Sequence, residues 1–170
     1  KTTSMPEAKP ALCFIGFGEA GQAIAAGLRK AGFERICAWD ILFPRADGGR
    51  LKHAADALGV GCASSPADAV RDADIVISAV TAASSIEAVR SVAPHLHGKP
   101  FLLDINSVSP GRKQEAAKLL GDTARYVDVA VIAPIHPARH QTPMLIAGPH
   151  AEAAAPVLTT LGMRVTIAGA

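Results

Sequence analysis

The stretch FIGFGEAGQAIAAGL, residues 14–28, decides the fold. An apolar run enters three glycines, Gly16, Gly18 and Gly21, and alanine-rich helical sequence leaves them. Glycines in the pattern G-x-G-x-x-G serve one of two ends. They cradle the phosphates of a dinucleotide, or they only turn the chain between a buried strand and a buried helix. The surroundings separate the two.

On both sides of this stretch, apolar runs of strand length alternate with longer helical ones. The pattern predicts strands over 11–16, 35–40, 74–80, 100–105, 125–133, 143–148 and 163–169, with a short extended piece over 60–62. Helices are expected over 19–32, 48–59, 65–73, 84–96, 109–121 and 150–162. Ser65-Pro66 and Ser109-Pro110 each read as an N-cap followed by proline at the first helical position, and Gly32 as a helix stop. The run over 74–80 is almost continuously apolar, as a strand covered on both faces requires. Strand–helix–strand repetition with short connections predicts an α/β fold of the Rossmann type. Its sheet is doubly wound and mostly parallel, with helices on both faces.

Length and composition fit one such domain over 11–170. Nearly half of the 170 residues are apolar but only 4% are aromatic, which suits small-residue helices on branched strands. Residues 1–10 are polar and carry no apolar core of a signal peptide, so they read as a flexible leader. A formal net charge of +2 without a long Lys/Arg run argues against nucleic acid and anionic membranes as partners. No apolar run is long enough to span a bilayer. Cys13, Cys37 and Cys62 form no C-x-x-C pair, and the first two fall in predicted strands. They read as reduced thiols in a cytoplasmic setting.

The glycines follow a predicted strand and open a predicted helix at the start of a βαβ unit, the context that phosphate binding demands. Gly16 permits the tight turn, Gly18 lets backbone approach a pyrophosphate, and Gly21 lets helix and strand pack closely. The helix N-terminus offers free N–H groups and partial positive charge to the phosphates. Asp40 ends the second strand 19 positions after Gly21, where a carboxylate can accept hydrogen bonds from both hydroxyls of an adenosine ribose. These features point to NAD. A 2′-phosphate would meet the Asp40 charge, although Arg45 nearby could clamp one, so NADP stays open.

Four blocks carry a resemblance to a known family. FIGFGEAGQAIAAGLRKAG, ADIVISAV, LLDINSVSP and YVDVAVIAP occur in the order and spacing of the β-hydroxyacid dehydrogenases. That family includes 3-hydroxyisobutyrate and tartronate-semialdehyde enzymes and is related to 6-phosphogluconate dehydrogenase. The resemblance covers 11–169 and implies hydride transfer between a nicotinamide cofactor and a small hydroxy acid. It implies that residues 16–21 (Gly16, Phe17, Gly18, Glu19, Ala20 and Gly21) hold the pyrophosphate, largely through backbone. Val80 and Thr81 would lie beside the nicotinamide ribose. The family motif Asp-x-Ser-Thr-x-x-Pro falls on Asp104, Asn106, Ser107 and Pro110, so Asn106 and Ser107 would orient the substrate. The same residues also read as the approach to a helix capped by Ser109.

Two departures stand out. Where the family has a glycine pair after the sixth strand, this chain has Ala133-Pro134, followed by a polar loop with His136, Arg139 and His140. Those side chains read equally as charge for a different acid and as ordinary loop surface. Two nearby prolines argue against a helical histidine pair, so no metal is expected. The family's catalytic lysine lies on a helix after the last Rossmann strand, beyond residue 170. The helical domain of the family, through which its members often form homodimers, would follow it. Lys113 and Lys118 do not match that position. The resemblance therefore implies a cofactor domain whose proton donor lies elsewhere. Imine reduction of the pyrroline-carboxylate type and a non-catalytic NAD-sensing domain remain alternatives.

Overall fold

The computed structural model describes residues 8–168. Eight strands form one sheet: β1 (Leu12–Ile15), β2 (Ile36–Trp39), β3 (Gly61–Cys62), β4 (Ile75–Ser78), β5 (Phe101–Asp104), β6 (Arg125–Val131), β7 (Met144–Ala147) and β8 (Val165–Ile167). Their order is β3-β2-β1-β4-β5-β6-β7-β8. All neighbours run parallel except β6 and β7, whose connection carries no long helix to return the chain to the starting end of the sheet. The predicted doubly wound fold is the observed one.

Six helices connect the strands: α1 (Glu19–Lys30), α2 (Gly49–Leu58), α3 (Pro66–Val70), α4 (Ser85–Val92), α5 (Pro110–Leu120) and α6 (Ala151–Thr160). Alternate side chains of each strand point to opposite faces. Leu12, Phe14, Ile75, Ile77 and Leu103 therefore join Ile24 and Leu28 of α1, Ala55 of α2 and Leu158 of α6 in one core. Cys13, Ile15, Val76 and Leu102 join Val70 of α3, Val89 of α4 and Leu120 of α5 in the other. Two covered faces explain why the central strands read as unbroken apolar runs.

The caps expected from sequence are in place. Ser65 and Ser109 accept from the backbone N–H groups of Asp68 and Arg112, with Pro66 and Pro110 each at the start of the helix. The helix expected over 84–96 is shorter than its pattern. It is α4 flanked by 3-10 turns at Ala82–Ser84 and Ala93–His95, since Pro94 has no N–H to extend the α-helical ladder. Cys13 and Cys37 are in-register neighbours on β1 and β2, and all three cysteines are free. Cys13 is buried, Cys37 half-buried and Cys62 exposed.

Most of the leader expected over 1–10 lies outside the described residues. Of its last part, Lys9 donates to the Gly32 carbonyl at 2.9 Å and sits over the Phe33 ring. Among the described residues no helix is long and apolar enough to cross a membrane.

Candidate functional site

A cleft of about 960 Å³ opens at the carboxyl ends of the strands, where the sheet order reverses between β1 and β4. Crossovers leave β1 and β4 toward opposite sides of the sheet, so the chain itself leaves a crevice there. The glycine turn forms one wall. Gly16 has φ +91°, and a Cβ there would stand 2.2 Å from the Ala79 carbonyl oxygen and 2.7 Å from Val80 Cγ1. A Cβ on Gly21 would stand 2.7 Å from the Gly16 carbonyl oxygen, so Gly21 sets the approach of α1 to β1. Gly18 differs from both. It lines the cleft, and a Cβ there would meet nothing within 4 Å, so its missing side chain leaves space open in front of α1.

Helix α1 starts from Gly18 with no side-chain cap, and its first-turn N–H groups are available to a ligand. Three glycines thus do three different things, and the group they fit is a pyrophosphate. Glu19 and Ala20 line the cleft as well. Phe17 does not: its ring is fully buried edge-to-face against Phe14, and it anchors the turn.

Asp40 stands at the end of β2 with both carboxylate oxygens in use. Oδ2 accepts from the Phe17 N–H at 2.8 Å and Oδ1 from the Leu42 N–H at 2.9 Å. No spacing in the sequence announces this latch, which ties the glycine turn to the second strand. Each oxygen keeps a further lone pair, so the latch and a ribose contact are compatible. Around it, Trp39, Ile41, Leu42, Leu51 and Pro66 make an apolar end to the cleft. Ile41 is 64% exposed there. These residues were not singled out from the sequence. Their signal was position, since most of them flank the carboxyl ends of β2 and β3.

At the other end lie Val80, Thr81, Ile105, Asn106, Ser107, Val131 and Ile135. Asn106 is buried, and its amide is engaged within the protein. Nδ2 donates to Ser78 Oγ at 3.0 Å and to Asp104 Oδ1 at 2.9 Å, while Oδ1 accepts from the Val80 N–H at 2.8 Å. It fixes the cleft wall at this end. Ser107 is exposed and faces the cleft. Behind the wall, Tyr126 donates its hydroxyl to Asp104 Oδ2 at 2.7 Å. Burial and the Asp104 charge push the phenol far above its ordinary range, so it stays a donor. Lys113, also buried, ion-pairs with Asp128 at 2.9 Å and Asp104 at 3.5 Å.

The loop between β6 and β7 leaves the cleft after Ile135. His140 packs against α1, where a Cβ on Gly27 would stand 2.2 Å from its Nδ1. Arg139 is exposed on the same side, and His136 is exposed. None of the three lines the cleft. Among the described residues, the charged lining of the cleft is acidic: Glu19, Asp40 and Glu87. Phosphates would therefore be held by backbone and helix terminus.

Comparison with known proteins agrees with this geometry. Residues 11–169 match the family model of the NAD binding domain of 6-phosphogluconate dehydrogenase. The 3-hydroxyisobutyrate dehydrogenase of Pseudomonas aeruginosa is 32% identical over 168 residues, covering 93% of this chain and 53% of that enzyme. A conserved hypothetical protein from Sinorhizobium meliloti superposes with a TM-score of 0.89 at 35% identity, over 96% of this chain and 55% of that one. An imine reductase variant from Myxococcus stipitatus in complex with NAD+ gives 0.76 at 27% identity, over 95% and 55%. The chain spans about half the length of the curated relatives it matches.

Proposed function

The chain belongs to the family of the NAD-binding domain of 6-phosphogluconate dehydrogenase, and from that premise we propose that it forms the cofactor half of an oxidoreductase acting on a small hydroxy acid. One observation carries the reading. Gly18, Asp40, Val80 and Ser107, distant in sequence, line a single cleft at the switch point of the sheet. When bound there, the cofactor supplies or accepts a hydride at nicotinamide C4.

The protein's own residues bind and orient. The α1 N-terminus and the turn at Gly16–Gly18 hold the pyrophosphate. Asp40 holds the adenosine ribose, and its charge selects NAD(H) over the 2′-phosphorylated form. Arg45 is exposed and stands 3.8 Å from Asp47. Val80 and Thr81 flank the second ribose, and Ser107 orients the substrate from a wall that Asn106 fixes. None of the described cleft residues is a lysine, and none of them is assigned the proton transfer.

A related imine is the second substrate reading. It is supported by the similarity to imine reductases from Myxococcus stipitatus at 27% identity. Titration with NADH and NADPH, followed by fluorescence, tests the proposal. NADH binds more tightly than NADPH, and Asp40→Ala weakens NADH by about tenfold while narrowing the preference. Equal binding of both cofactors, unchanged by Asp40→Ala, would remove Asp40 from the site.

A further inference from the structure

Lys113 is buried on α5, outside the cleft, in a role the proposed reaction does not use. Its surroundings are unusual for a lysine. Asp104 and Asp128 are direct neighbours on the parallel strands β5 and β6. Two carboxylates so placed repel each other, Asp104 buried and Asp128 42% exposed. The Lys113 ammonium stands between them, 2.9 Å from Asp128 Oδ1 and 3.5 Å from Asp104 Oδ1, and donates to the Asp104 carbonyl at 2.6 Å. The ammonium thus makes one hydrogen bond and two ion-pair contacts.

Asp104 is the hub. Its Oδ1 accepts from the backbone and side-chain N–H groups of Asn106, and its Oδ2 from the Tyr126 hydroxyl. Asn106 in turn holds the Val80 N–H. Val80 is a cleft residue close enough to the glycine turn that a Cβ on Gly16 would strike it. A continuous series of contacts therefore runs from the buried ammonium to the wall facing the turn.

We propose that Lys113 is a positioning residue for the nicotinamide end of the cleft: it balances the Asp104–Asp128 carboxylates so that Asp104 holds Asn106, and Asn106 holds Val80. The inference rests on the reading of the cleft as a nicotinamide-dinucleotide site. Charge balance, more than packing, is what Lys113 supplies. Restoring the balance by another route must then restore binding.

The experiment measures NADH affinity by fluorescence for the wild type, Lys113→Met, Lys113→Arg and the double variant Lys113→Met/Asp104→Asn. Lys113→Met weakens NADH by about tenfold, the effect of leaving a buried carboxylate without its partner. Lys113→Arg keeps the charge and stays within about threefold of the wild type. The double variant removes the uncompensated charge while its amide oxygen still accepts from Asn106, and it recovers to within about threefold. A folded Lys113→Met that binds as the wild type does, or a double variant no better than the single one, overturns the inference. If Lys113→Met does not fold, the double variant decides against the wild type by the same margin. Wild-type protein that binds no NADH overturns the reading of the cleft, and this inference with it. Wild-type binding with no response to Lys113 overturns the inference alone.

Discussion

Two connections of this sheet carry residues that look functional, and they end in opposite places. The turn after β1 puts Gly16 and Gly18 at the carboxyl ends of the strands, where the chain leaves an open crevice. The loop after β6 begins at the same edge with Val131 and Ile135, then folds back over α1 and buries His140 between Gly27 and Gly162. Glycine appears in both regions for opposite reasons. Gly18 keeps space open for something to enter, whereas Gly27 keeps space that a histidine ring already fills. Residue type says little until topology says which side of the sheet a side chain reaches.

The sharpest way to break this contrast is to fill both spaces. Gly18→Val projects a branched side chain into the cleft and lowers NADH affinity by about a hundredfold, with the melting temperature little changed. Gly27→Ala does the reverse. Its methyl meets the His140 ring, and the protein loses about 1–3 kcal/mol of stability in denaturant unfolding while NADH affinity holds. If Gly27→Ala weakens NADH as much as Gly18→Val does, the two regions are not distinct.

A smaller effect concerns His140 itself. Burial lowers its pKa, partly offset by a hydrogen bond to the Leu161 backbone. The folded state therefore favours the neutral ring. Its stability is fully present above the ordinary histidine range and falls as pH drops through it. Melting temperatures measured from pH 7.5 to 5.5 should decline in the wild type, and the decline should flatten in His140→Gln. A wild type equally stable across that window would mean that the ring accepts its proton without cost.

The smallest expected effect is none. His136→Ala and Arg139→Ala, both in the loop and outside the cleft, leave NADH affinity within about twofold. A larger loss would bring the loop back into the site.

Much of this was readable in the sequence, and the reasons are local. Each Ser-Pro helix start places a cap and the N–H that donates to it within three residues, so Ser65 and Ser109 could be read directly. The three glycines are legible because turn, phosphate approach and helix packing each act within six residues. Asp40 was legible as an acid at a strand end, but its hold on the Phe17 N–H joins residues 23 apart and left no pattern. The Lys113 network joins α5 to β5 and β6 through the sheet, so no spacing announces it. From its sequence His140 reads equally as charge for a substrate and as loop surface, because the two glycines that make room for it are far away along the chain.

We propose that the crevice beside the glycine turn, and not the loop side of α1, takes the dinucleotide. Backbone amide chemical shifts followed through an NAD+ titration test it most directly. The account predicts the largest movements at Gly16–Ala20, Asp40–Leu42, Ala79–Thr81 and Asn106–Ser107, with residues 137–141 unmoved. Shifts concentrated on Lys30 and residues 137–141, or none anywhere, would contradict it.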